Sequence, residues 1–164
     1  MSTGNGKKYC SYKQAWEKIN GSILLGFYLE AITLEESVIS DRLISFLVGV
    51  KVLPDGNEQQ RRKTLSTSFF ELIARWKKNQ AGKNDALDLA NLVDLWRDKR
   101  NECVHGYVKS LHKTPTWDAA DFAELLKETA EDGKVLAREV SDWHRKELRA
   151  HTKASKAKTL VEGK

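Results

Sequence analysis

Cysteine, proline and methionine are scarce in this chain: its 164 residues contain two, two and one of them. Cys10 and Cys103 lack a metal-ligand spacing, and two thiols make no disulfide framework, so both are expected to be free. A cysteine within a helix is more often small apolar filler than a nucleophile, and Cys103 is assigned no chemistry. Long apolar runs are missing too. The most apolar stretch, Leu43 to Leu53, is far too short to cross a bilayer and is interrupted by Gly49 and Lys51. Behind Met1 to Lys8 there is no apolar run that would make a secretory signal, so a cytoplasmic protein without a membrane segment is expected. No stretch shows the period of a strand, and no internal repeat, glycine-rich phosphate loop or domain linker stands out.

The composition that remains is that of a helical domain, with 40% hydrophobic and 31% charged residues. The length suits one domain with a sizeable core. A formal net charge of +5 and an isoelectric point near 9.1 favour a polyanionic partner. Charge is unevenly placed. Lys146, Arg149, His151, Lys153, Lys156, Lys158 and Lys164 crowd the last twenty residues, whereas Glu30, Glu35, Glu36 and Asp41 crowd an early helix. The basic end reads either as a solvated, disordered tail or as an RNA-contacting one.

Residues 1–11 are expected to form a flexible leader, 12–149 a helical domain and 150–164 the basic tail. A first helical segment runs from Tyr12 to about Tyr28, with Trp16, Ile19, Ile23, Leu24 and Phe27 at three- and four-residue steps. A second carries Leu29, Ile32, Ile39, Leu43, Phe46, Leu47 and Val50 on one stripe, which Glu36 interrupts. Pro54-Asp55-Gly56-Asn57 is a strong turn. The next helix matures by Thr64 and runs to about Asn79, with Leu65, Phe69, Leu72, Ile73 and Trp76 inward. A helix from about Ala86 to Val108 is followed by a break at Lys113–Thr116. A last long helix runs to about Arg149, with Gly133 as its expected kink. Four or five packed helices, an all-α bundle, are the predicted fold.

Near the end of the Ala86–Val108 helix stand Arg100-Asn101-Glu102-Cys103-Val104-His105-Gly106-Tyr107. Histidine exchanges a proton near neutral pH, and guanidinium keeps its charge while offering a planar fork suited to phosphate. Five positions rotate His105 by about 140° from Arg100, whereas Asn101 shares a face with His105. Gly106, a common helix terminator, is expected to loosen the last turn. The plainer reading is that Arg100, Asn101 and His105 cap carbonyls and favour the negative end of the helix dipole. Arg100, at the edge of the apolar face, invites an anionic partner, for which Glu36 or Asp41 is the natural candidate. His112, His144 and His151 are expected on solvated faces.

The pattern resembles the Arg-x4–6-His signature of the HEPN superfamily, small all-helical proteins that include RNases of toxin–antitoxin, phage-abortive and CRISPR-associated systems. The resemblance covers about eight residues in detail and residues 12–149 in architecture. It implies an endoribonuclease of toxin or antiviral-defence type that needs no metal or cofactor and cuts RNA by 2′-hydroxyl transesterification in the cleft of a homodimer. Arg100, Asn101 and His105 would be its catalytic residues, with Glu36 and Asp41 supporting. The dimer would bring a second His105, since one imidazole serves poorly as both acid and base. Tyr107 extends the match to an Arg-x4-His-x-Tyr form, in which the tyrosine is adenylylated by a nucleotidyltransferase antitoxin. Its plain alternative is an amphipathic residue at a helix end. Two other function classes stand beside the RNase: a non-catalytic module of the same superfamily that binds nucleotide or protein, and a basic helical adaptor that binds nucleic acid by charge alone.

Overall fold

The computed structural model describes residues 4–106 and 118–162, and for residues 4, 5, 7 and 151–162 the backbone alone. Six helices make up these residues: α1 (Gly4–Leu25), α2 (Tyr28–Gly49), α3 (Glu58–Leu65), α4 (Phe69–Asn79), α5 (Asn84–His105) and α6 (Ala119–Glu162). There is no strand among them, and the chain is an all-α bundle. Tyr107, His112 and the expected break at Lys113–Thr116 lie outside the described residues.

Gly26 turns the chain between α1 and α2 with φ of 79°, a backbone region that costs glycine little. The two helices then run antiparallel, joined by Ser22 to Glu30 at one end and Tyr12 to Asp41 at the other. α6 lies alongside α2 in the same direction: Glu35 meets it at Gly133 and Phe46 meets it at Trp143, the two ring centroids being 4.8 Å apart. α5 runs antiparallel to α6: Trp96 Nε1 donates to the Thr129 carbonyl at 2.8 Å, and Lys83 pairs with Glu147. The core sits between α2, α4, α5 and α6, with Trp76, Phe122, Ile32, Leu43 and Val93 almost wholly buried. Ile19 adds α1 to it.

Four expectations about the elements are corrected. α1 begins at Gly4 and not near Tyr12, because Lys8 reaches Asp41 of α2 at 3.0 Å one turn before Tyr12 does. The expected Thr64–Asn79 helix is two helices. Ser66 and Thr67 turn their hydroxyls back to the Lys63 carbonyl, and Ser68 caps α4 by accepting from the Glu71 N–H. Such local bonds compete with helix continuation, and they leave Leu65 72% exposed. Asn57, read from sequence only as part of a turn, starts α3 through a reciprocal capping box with Gln60. At the other end, α6 continues past Arg149 to Glu162. Alanine, lysine and arginine are good helix formers, and extending a packed helix avoids the cost of nucleating one.

Gly133 is the fourth. α6 runs through it unbroken, and its role is close approach: a Cβ there would lie 2.6 Å from the Trp96 ring and nearer still to the Glu35 carboxylate. The ring is held by its bond to Thr129 and cannot retreat freely. Gly133→Ala is therefore expected to destabilise the protein by about 2 kcal/mol, as overpacking does. Gly21→Ala, with nothing within 4 Å of the added carbon, should leave stability unchanged or raise it by up to about 1 kcal/mol. Urea unfolding of the two variants beside the parent checks both signs.

Candidate functional site

The end of α5 holds the residues that the sequence singles out. Three-residue and four-residue steps put Val93, Trp96 and Cys103 into the core, and Arg100 falls on the same side of the helix. Its guanidinium meets Glu36 of α2 in an ion pair, with 25% and 18% of the two side chains exposed. Nη1 donates to the Asn101 side-chain oxygen at 2.9 Å, and Nε is buried without an acceptor. Arg100 is thus held against α2 by Glu36, with Asn101 beside it.

His105 is the last residue of α5 and is exposed. No hydrogen bond or ion pair of its side chain is formed among the described residues, Arg100 included. Asn101 is one turn earlier on the same face. Gly106 does not loosen the turn as expected. It keeps helical angles, its N–H bonds to the Glu102 carbonyl, and a Cβ there would run into the Phe122 ring of α6. His105 is held at the edge of a packed helix end, with its ring open to solvent.

Asp41 plays a different part. It accepts from the Tyr12 hydroxyl at 2.5 Å and pairs with Lys8, while Arg42 lies 3.8 Å over the Tyr12 ring. Burial, and then this bond to Asp41, push the Tyr12 hydroxyl well above its ordinary value. Of the two supporting carboxylates, then, Glu36 reaches Arg100 and Asp41 fastens α1 to α2.

Cys103 is 1% exposed and burial raises its thiol, which suits filler and not a nucleophile. His144 is not on a solvated face. It is 3% exposed, with Nε2 unpartnered, and is pushed down to about 4 by burial and by Arg42 and Lys8, with Asp41 pulling the other way. Glu35, and not Glu36, is the carboxylate within the α2 core stripe. It is wholly buried with both oxygens unbonded, and burial pushes it up to about 8 against the pull of Lys134. Spacing does not separate the two, since Glu35 stands three residues after Ile32 and four before Ile39, and Glu36 four after and three before.

Among the described residues no group of three or more His, Cys, Asp or Glu is arranged to hold a metal, and no helix is long and apolar enough to cross a membrane. An open groove of about 740 Å³ lies at the opposite end of α5, where Asp85, Asp88, Glu139, Asp142 and Glu147 stand with Lys83 and Lys146. Five carboxylates against two lysines make its floor a poor place for a phosphate chain, so its size gives it no claim over the Arg100 end, although Lys146 at its α6 side is exposed. Comparison with protein-family models, with characterised proteins and with solved structures finds no match for this chain.

Proposed function

We propose that this protein is an endoribonuclease of toxin or antiviral-defence type, HEPN-like in its chemistry. It would cut RNA by attack of a ribose 2′-hydroxyl on the adjacent phosphorus. The observation that carries this reading is the end of α5: a guanidinium fixed beside Asn101, and an exposed imidazole one turn further on. In the reaction a base takes the 2′-hydroxyl proton, the new 2′-oxygen to phosphorus bond forms, and the 5′-oxygen leaves with a proton from an acid. The products are a 2′,3′-cyclic phosphate and a 5′-hydroxyl. His105 would be the base or the acid, Arg100 would stabilise the charge gathering on the phosphate, and Asn101 would orient either group. A second copy would supply the other imidazole, so the working form is a homodimer. The cytoplasm, where RNA is at hand, would be its place, and a nucleotidyltransferase antitoxin acting on Tyr107 would be a fitting partner.

One observation favours a different reading. Arg100 is already paired with Glu36 and makes no contact with His105, as would suit a helical module that binds nucleic acid without cutting it. Incubating the purified protein with end-labelled structured and single-stranded RNAs in excess EDTA separates the two. Fragments ending in 2′,3′-cyclic phosphate support the nuclease. Salt-sensitive binding with every RNA intact supports the module.

A further inference from the structure

Residues 145–162 hold six lysines and arginines against Glu147 and Glu162, which is four of the five net positive charges of the whole chain. The remainder is nearly neutral, so attraction of a polyanion is concentrated on the end of α6. His144 is the last residue that the bundle buries among those whose side chains are described, and Lys146 and Arg149 are exposed. Past Glu147 the helix continues for about 20 Å at 1.5 Å per residue.

The order of the cations on this helix is specific. Lys146, Arg149, Lys153 and Lys156 follow steps of three, four and three, which places them within about 80° of helical arc and along about 15 Å of its axis. That side of α6 is turned away from the positions of Val140 and His144, which face the bundle. Glu147, bonded to Lys83, lies on another side, and no carboxylate interrupts the stripe after Asp142. Like charges at these steps oppose the helix by a few tenths of a kcal/mol each unless an anion meets them. A 15 Å row of cations matches about four phosphates of a strand at 3.4 Å per nucleotide. The apolar residues Leu148, Leu160 and Val161 are spread around the helix and form no face for insertion into a lipid surface.

We propose that the end of α6, from Lys146 to Lys156, is a second RNA-contacting surface that takes the sugar-phosphate backbone without reading sequence. It rests on RNA being the ligand of this protein, but not on its cleavage. The surface is remote from the Arg100 site: Phe122, packed at Gly106, and Arg149 are separated by about 40 Å along α6. An RNA reaching both must span about a dozen stacked nucleotides.

The test uses the full chain with His105→Ala throughout, so that RNA stays whole, and reads the anisotropy of a fluorescent 24-nucleotide single strand across a potassium chloride series. Adding Lys146→Gln, Arg149→Gln, Lys153→Gln and Lys156→Gln, which keep helix propensity, should weaken binding on the order of 100-fold near physiological salt. The slope of log affinity against log salt should flatten by about 3. Unchanged affinity and slope overturn the proposal. So does a variant that still binds RNA but no longer binds vesicles containing phosphatidylserine, since the stripe would then serve a membrane. With His105 restored, a hexanucleotide too short to bridge the two ends should be cut equally with and without the four substitutions. A parent that cuts nothing, yet loses RNA binding with the four, leaves this inference standing and removes the nuclease.

Discussion

His105→Ala should slow RNA cleavage by about two to four powers of ten while leaving the fold as stable as the parent to within about 0.5 kcal/mol. The first half follows from the proposed proton transfer and the second from geometry. His105 is exposed, ends its helix and makes no side-chain bond among the described residues, so removing it takes nothing from their packing. This separation is what makes the variant informative. Arg100→Ala would be a poorer probe, because it strips Glu36 of its cation where only 18% of that side chain is exposed. Breaking a fully buried pair costs about 3–5 kcal/mol, and the partial exposure here lowers the expected cost to about 1–3 kcal/mol. Lost activity in that variant would therefore mix chemistry with folding. If two imidazoles act together across a dimer, the specific activity of the parent should also fall on dilution below its dissociation constant. Equal cleavage rates for parent and His105→Ala, measured in EDTA on the same RNA, would remove His105 from the mechanism.

The all-helical fold was legible because the apolar residues recur at three- and four-residue steps, and the Pro54–Asn57 turn because few other residue sets favour it. Arg100 and its partner Glu36 were legible for the same reason: a cation at the edge of an apolar face needs an anion, and α2 offered few. What the pattern could not resolve was rotation by a single residue. Glu35 and Glu36 stand 100° apart on one helix, and a stripe broad enough for Leu29 through Val50 admits either as the buried one. Only the approach of α6 at Gly133 decides it. Similarly, Ser66, Thr67 and Ser68 are tolerated in helices, and the break there depends on which hydroxyls turn back to the backbone. His144 lay in a basic segment and read as solvated, although it follows Val140 by one turn and so continues the buried face of α6. The candidate site is a case apart: its residues stand within six positions of one helix, so sequence supplied them together, but not that Arg100 points into α2 while His105 points to solvent.

Glu35→Gln should change how stability depends on pH more than any other single substitution on α2. In the folded protein Glu35 keeps its proton up to about 8, because no donor replaces the water that burial removes, whereas in the unfolded chain it ionises near 4.5. Between those values the folded state binds one more proton than the unfolded, so stability falls as pH rises, by up to about 1.4 kcal/mol per pH unit. The whole window sets an upper limit of about 5 kcal/mol. His144 has the opposite sign. It stays neutral down to about 4 in the fold but protonates near 6.5 when unfolded, so stability falls as pH drops from about 6.5 to about 4. From about 4.5 to 6.5 the two contributions cancel, and the parent should be nearly flat. From about 6.5 to 8 Glu35 acts alone and stability should decline; Tyr12 and Cys103, both raised by burial, titrate above that window. Glu35→Gln should abolish the decline and gain several kcal/mol over the parent at pH 8.5 relative to its standing at pH 4. His144→Gln should expose the Glu35 slope from about 4.5 upward. Urea unfolding at half-unit pH steps measures all three curves, and a Glu35→Gln protein that declines between pH 6.5 and 8 as steeply as the parent would show that this carboxylate is not held protonated in the core.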